Sequence, residues 1–527
     1  MTLTQLSADL VDGEGNLINF DCAYSCRSGI LKVIDSIRSI HGENVRIVPI
    51  SGASGGGGIF QRANPDPADT TVVGLKLEPT IEPLVSEEAE VSIIGLELNE
   101  IRIDPNSWKI YAGAGVTLDQ LNRSLGDHLG ARYRVLGADL TSYTYAQVGA
   151  TFMTGGMGPQ RRYFSDSVIE IALFNGNDIE VMDGDEVQSY AATYGWSGIV
   201  TAVCCRYVEL PKHEIAFALP VNNTSAELAK LLAHFAPLSY LHVDKNQVLN
   251  ARNEDRLIFG IEHVTKKSMQ PMFAQTIDNE ITRRAHSLVT KCDASGADGL
   301  VFINGFSNQS LDEFLLAIVD DAEAEELSIA GTSLEHTEIF NDAELMRAVR
   351  EAVPFAARTQ APVGAYVYKG HTDSNVRLNA ESVEHTMGKL WSANMHYVKS
   401  VEAYFDDHRS TVRGQILVYG HLNPYGVDPH NRLTLACDTE DVFDQVRKDL
   451  HGIRDSYVRE LQQICLATGS LFVGGEKGAC SESEMFESFG GPENAPLALN
   501  EKFQRQVTIV RDASPLFNWR ALPPYGN

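Results

Sequence analysis

The stretch Val48-Pro49-Ile50-Ser51-Gly52-Ala53-Ser54-Gly55-Gly56-Gly57-Gly58 decides how this chain is read. Residues 45–50 are apolar enough for a strand, and upstream Ile30, Val33, Ile34, Ile37 and Ile40 recur at helical spacing over 26–41. Helix, strand and glycine loop therefore follow one another. Three more glycine clusters come later: Gly113-Ala114-Gly115 after a strand at 108–112, the glycine-rich run at 148–158, which reads as another strand-ending loop, and Tyr194-Gly195-Trp196-Ser197-Gly198 before a strand at 199–208.

Any one of these clusters reads equally well as a plain turn. Repetition within about 200 residues, the span of one domain, points further, to a nucleotide pyrophosphate. Two phosphate charges must be met by several donors, no lysine lies within these loops, and successive backbone N–H groups converge on an anion only where side chains do not crowd it. The Gly-x-Gly-x-x-Gly fingerprint between a strand and a helix is absent near the N-terminus, which disfavours a Rossmann site for NAD.

The elements between the clusters support a mixed fold. A strand at 96–103, a turn at Asp104-Pro105-Asn106-Ser107, and a strand at 108–112 form a meander. Thr117 with Gln120 is a capping box that starts a helix. Strands at 168–174 and 179–182 flank an Asn175-Gly176 hairpin turn. Near 213 the texture changes to longer alternating helices and strands, with a long amphipathic helix at 440–467. The expected domains are 1–212, 213–465, and a C-terminal segment, 466–527, packing back on the first.

At 527 residues the chain exceeds what a single core usually supports. A formal charge of −27 repels nucleic acid and anionic lipid. No apolar run reaches the roughly 20 residues of a membrane span, and the N-terminus lacks a secretory layout, so a cytoplasmic protein without an integral membrane segment is expected. The eight cysteines include the adjacent Cys204 and Cys205 in a strand that reads as buried, which suggests reduced core thiols. Cys22 and Cys26 have no second pair nearby to complete a metal site.

The glycine motifs together resemble the FAD-binding domain of the vanillyl-alcohol oxidase and p-cresol methylhydroxylase superfamily. Residues 48–55 resemble its first pyrophosphate loop, 112–121 its following turn, 148–165 its second flavin loop and 194–201 its "G-x-x-G-I-V-T" segment. The resemblance implies an α+β fold: a two-subdomain FAD-binding domain plus an α+β substrate, or cap, domain with an antiparallel sheet. It implies FAD contacts at Gly52, Ser54, Gly55, Gly56, Gly115, Gly149, Gly155, Gly156, Gly158, Gly198 and Val200. The first loop offers Ser54 and no histidine for covalent attachment, so FAD is expected to be non-covalent.

The rest of the chain is similar to the D-lactate and D-2-hydroxyglutarate dehydrogenase branch at 299–305, 346–354, 372–376, Tyr419-Gly420-His421-Leu422 and Gly475-Glu476-Lys477-Gly478. That branch holds a divalent metal with two histidines and a glutamate. Here only His421 and Glu476 stand at matching positions, no histidine stands at the second histidine's place, and Lys477 replaces a histidine. Two ligands hold zinc poorly; without metal, Lys477 would supply a fixed charge.

For chemistry, His421 is the first candidate for the base that takes a hydroxyl proton, and Arg350 for the anchor of a substrate carboxylate. Tyr425 and His430 share the His421 loop. The plainer readings are a structural histidine and a helix-surface salt bridge from Arg350 to Glu344 or a neighbour. Three functions follow: an FAD-dependent dehydrogenase of a small hydroxylated substrate, first a 2-hydroxy acid, passing electrons to a quinone or carrier protein; an oxidase of phenolic or other alcohols using oxygen; or a flavin-binding assembly subunit with a decayed catalytic loop. A homo-oligomer is left open.

Overall fold

The computed structural model describes residues 20–23, 27–50, 71–77, 98–140, 143–156, 158, 163–193, 195–221, 256–269, 279–310, 313, 338–340, 343–359, 362–373, 376–377, 383–423, 426–472, 505–506, 508–510 and 512–517. It has the mixed α+β character expected from the sequence. In the first half, strands Phe20–Ala23, Thr71–Leu77 and Val45–Ile50 form a parallel sheet in that order. Helix Arg27–His41 packs on it through Ile30, Ile34 and Ile37, which are fully or almost fully buried beside Val45, Ile47 and Leu75. The apolar repeat predicted at 26–41 is thus the buried stripe, although Ile40 stays exposed at 69% because it lies off that face.

The second sheet of this half has, among the described residues, five antiparallel strands in the order Ile101–Asp104, Lys109–Gly113, Ile199–Arg206, Val168–Phe174 and Ile179–Asp183. The Asn175 hairpin turn forms as expected, with the Asn175 side chain accepting from the backbone N–H groups of Asn177 and Asp178. Strand Ile199–Arg206 is central, which explains its nearly continuous apolar run. Cys204 and Cys205 are buried and free there, and burial pushes both thiols up, so neither is a ready nucleophile.

Two expectations are corrected. The strand expected at 96–103 starts only at Ile101, because Leu98 and Asn99 form a turn whose Leu98 carbonyl accepts from Gly115 N–H at 2.8 Å. The run at 148–158, expected as a strand-ending loop, opens with a helix, Val148–Thr154. Its apolar Val148, Phe152 and Met153 are buried, and Gly155 ends it in the left-handed conformation that glycine adopts without strain.

Among the described residues, the second half holds a nine-stranded sheet. Its main path runs Glu338–Ile339, His213–Val221, Gly299–Ser307, Arg256–Thr265, Val412–Asn423, Gly426–Cys437, Val376–Arg377, Leu471–Phe472, with Tyr366–Asp373 also pairing on Gly426–Cys437. Every pair is antiparallel. Alternation sends Ala216, Ala218, Leu300 and Phe302 to one face, against helices Asn279–Ser295 and Ala343–Thr359. Ile215, Phe217, Val301 and Ile303 go to the other, against helices Val383–Asp407 and Glu440–Thr468. The C-terminal stretch returns to the first half: the Phe517 ring meets Phe174 edge-on at 6.4 Å, and Gln506 Nε2 donates to the Ala191 carbonyl at 2.6 Å.

Candidate functional site

The glycine motifs within the described residues, at 113–115, 148–158 and 195–198, are far apart in sequence and contiguous in space. Gly113-Ala114-Gly115 docks between two of the others: Ala114 N–H donates to the Thr201 carbonyl at 2.8 Å, and the Ala114 carbonyl accepts from Gly149 N–H at 3.1 Å. A Cβ on Gly149 would lie 2.7 Å from the Ala114 Cβ. Gly155 abuts Ala192, and Gly195, at φ +81°, lies against the Pro49 ring, so the 194–198 segment touches the strand that leads into the first glycine loop. Gly198, at φ +139°, leaves no room for a side chain against the Phe174 carbonyl, 2.5 Å from an ideal Cβ. The capping box also forms, with Thr117 Oγ1 accepting from Gln120 N–H and Gln120 Oε1 accepting from Thr117 N–H.

The physical reason for these glycines differs from the expected one. The N–H groups of Gly115, Gly149, Gly155 and Gly156 donate within the protein, to Leu98, Ala114, Phe152 and Thr151. Glycine is needed here for close backbone approach rather than for anion-facing donors. The tightest case is Gly158, where a Cβ would fall 2.0 Å from the Asp139 carbonyl oxygen. Val200 lies in the central strand opposite Leu173. Gly52, Ser54, Gly55 and Gly56 lie outside the described residues, as do Arg161, Arg162 and the acidic run at 320–326.

A junction of charges, with Arg347, Arg350, Asp139 and Glu262 buried, joins this cluster to the large sheet. Helix Ala343–Thr359 presents Glu344, Arg347 and Arg350, three residues apart. Arg350 is 2% exposed; its Nε lies 3.0 Å from Glu262 Oε2 on strand Arg256–Thr265, and its Nη2 lies 3.4 Å from Asp139 Oδ1 and 3.5 Å from the Leu140 carbonyl. Arg347 donates to Glu214 Oε1 at 2.9 Å and Glu344 Oε1 at 2.5 Å, and Tyr143 Oη donates to Glu344 Oε2 at 2.9 Å. Burial disfavours the charge on Arg347, but Glu214, Asp139 and Glu344 outweigh it and hold the guanidinium more firmly protonated. Burial alone would raise Glu344, yet Arg347, Tyr143 and Arg123 hold it below its usual value.

Sequence reading placed Arg350 on a helix and named Glu344 as its alternative partner. The structure gives it two buried carboxylates from other elements and assigns Glu344 to Arg347. Asp139, Glu214, Glu262 and Tyr143 were not foreseen. The spacing of Glu344, Arg347 and Arg350 was the available signal, because three charges on one helical face need a polar or charged counterpart when that face is covered.

His421 lies on strand Val412–Asn423, with Glu262 as its register partner on one side and Asp428 on the other. Directly opposed residues of an antiparallel pair share a face, so positions 262 and 421 do. Of His421 and His430 only the backbone is described, and Tyr425, Glu476 and Lys477 lie outside the described residues. Among the described residues, no group of three or more His, Cys, Asp or Glu side chains could hold a metal, and no helix is long and apolar enough to cross a membrane.

Residues 63–178 match the FAD binding domain family. That span contains the 113–115 and 148–158 motifs and lies between the first glycine loop and the last segment. Comparison with curated protein sequences gives no match. Among solved structures, an alkyldihydroxyacetonephosphate synthase is similar with a TM-score of 0.53 and 13% identity, over 86% of this chain and 76% of that one. Berberine bridge enzyme from Eschscholzia californica gives 0.52 and 13%, over 100% and 95%. A BBE-like protein from Arabidopsis thaliana gives 0.52 and 12%, over 99% and 95%. At these identities the likeness is one of fold. The chain thus carries an FAD binding domain, with FAD as its cofactor, inside an overall fold shared with these proteins.

Proposed function

We propose that the protein is an FAD-dependent oxidoreductase that oxidises a small hydroxylated substrate held between its first half and a cap formed by the nine-stranded sheet. The observation that supports it most is the convergence of sequence-distant glycine motifs: 113–115 on 149 and 201, 155 on 192, and 195 on Pro49. These are places where a Cβ does not fit, so they suit a site in which loops pack closely around an extended dinucleotide. Gly52, Ser54, Gly55, Gly56, Gly115, Gly149, Gly155, Gly156, Gly158, Gly198 and Val200 would hold FAD without a covalent bond. Bound FAD supplies the acceptor, at its N5, for the hydride that leaves the substrate carbon.

The chain's own part is placement and proton transfer. His421, at a position sharing a sheet face with Glu262, takes the hydroxyl proton, and Tyr425 is the second candidate from the same stretch of sequence. The domain division 1–212, 213–465 and 466–527 belongs to the same reading. For a 2-hydroxy acid, Arg350 would have to receive the substrate carboxylate, and it already faces Glu262 and Asp139. That pairing favours an alcohol without a carboxylate, with oxygen, a quinone or a carrier protein as electron acceptor. A metal at His421 and Glu476 would serve the hydroxy-acid alternative. Anaerobic addition of 2-hydroxy acids and of aromatic and aliphatic alcohols to the FAD-loaded protein tests the reading. Bleaching of the flavin absorbance by one class supports it and chooses the substrate; FAD that no member of either class bleaches favours the assembly-subunit alternative.

A further inference from the structure

We infer that Arg350 is a positioning residue that couples FAD binding in the first half to the ordering of the cap strand Arg256–Thr265. Asp139 touches both sides of the junction at once. Its main chain packs on Gly158, whose Cβ would lie 2.0 Å from the Asp139 carbonyl oxygen and 3.0 Å from the Leu140 Cα. Its carboxylate lies 3.4 Å from Arg350 Nη2. Arg350 in turn reaches Glu262 at 3.0 Å, in the strand whose residue 262 is registered with His421.

The segment 137–140 packs along both the glycine run and the residues after it: a Cβ on Gly156 would lie 3.3 Å from Leu140 Cδ1, and one on Gly137 only 2.7 Å from the Tyr163 carbonyl oxygen. A shift of the glycine run on FAD binding therefore cannot be absorbed between it and Asp139. Side-chain exposures of 2% for Arg350, 1% for Glu262 and 7% for Asp139 leave the three charges without water to replace a broken contact. Moving Asp139 then moves or strains Arg350, and through it the Glu262 strand. The neighbouring contacts Tyr143–Glu344 and Arg347–Glu214 hold the same helix to the same two regions and fix its rotation.

This inference rests on the proposed FAD contacts at Gly155, Gly156 and Gly158. The test is hydrogen–deuterium exchange on the full-length protein, with and without FAD, for the wild type and for Asp139→Asn, Arg350→Lys and Arg350→Met. In the wild type, FAD is expected to protect both 148–156 and 256–265. In Asp139→Asn, protection of 148–156 persists while the FAD-dependent gain at 256–265 falls by about fivefold or more, the lower end of typical site-to-site coupling. Arg350→Lys keeps a charge without the fork and is intermediate, and Arg350→Met shows no gain. A purely structural role would lower protection at 256–265 equally with and without FAD, and that result overturns the inference. So does FAD-dependent protection of 256–265 that survives in both Asp139→Asn and Arg350→Lys. If the wild type binds FAD and protects only 148–156, the coupling alone is overturned; if it binds no FAD, the flavin reading falls with it.

Discussion

The two halves of the molecule encode their candidate sites in different materials. The first half uses the backbone: glycines at 149, 158 and 198 are fixed by main-chain or small-side-chain neighbours closer than a Cβ permits. The second half uses charged side chains, with Arg347 and Arg350 buried between Glu214, Glu262, Glu344 and the Asp139 that comes from the first half. A backbone site tolerates almost no added atom and depends little on pH. A charge site tolerates shape changes but not the loss of a partner.

The largest expected effect tests the charge half. Arg350→Met leaves Glu262 and Asp139 buried without their shared guanidinium, and should lower unfolding stability by about 3–5 kcal/mol in denaturant titrations; a change within error would show that the junction is not a buried charge pair at all. In the backbone half, Gly198→Ala adds a Cβ at φ +139° beside the Phe174 carbonyl. Strain and overpacking together should cost about 2–3 kcal/mol, read by the same titrations, and weaken FAD retention.

A pH series sharpens the contrast. His263 is fully buried against the Trp391 ring, 4.6 Å between centroids, and burial pushes its imidazole down to about 3. The unfolded chain takes up this proton below about pH 6.5 and the folded chain does not. Stability is therefore complete above about pH 6.5 and is lost as pH falls towards about 3, by about 1.4 kcal/mol per unit. Between pH 6.5 and 5 the wild type should lose about 2 kcal/mol more than His263→Gln, measured as the difference in unfolding free energies. The smallest effect is Thr117→Ala, which removes one side of the capping box and should cost about 1 kcal/mol by denaturant unfolding, with FAD affinity unchanged.

The sequence made the backbone half readable because glycine is itself the signal. The capping box, the Asn175 hairpin, helix Arg27–His41 and helix Glu440–Thr468 were legible for the same reason: each is specified by residues close together in the chain. What local reading got wrong was the use of the glycines. It assigned their N–H groups to an anion, whereas those of Gly115, Gly149, Gly155 and Gly156 are spent within the protein, a fact decided by tertiary neighbours at 98, 114, 152 and 151. Helix Val148–Thr154 was missed because its flanking glycines suggested a loop. In the charge half Arg350 was visible and its partners were not, since Asp139 is 211 residues away and Glu262 is on a different element.

The central claim is that the converging glycine motifs form a site for FAD, and titration of flavin-free protein with FAD, followed by quenching of flavin fluorescence, tests it most directly. Saturable binding of one FAD per chain, markedly weakened by Gly198→Ala and by Gly158→Ala while the variants stay folded by circular dichroism, is the predicted result. Fluorescence that stays that of free flavin throughout the titration of wild-type protein would contradict the account.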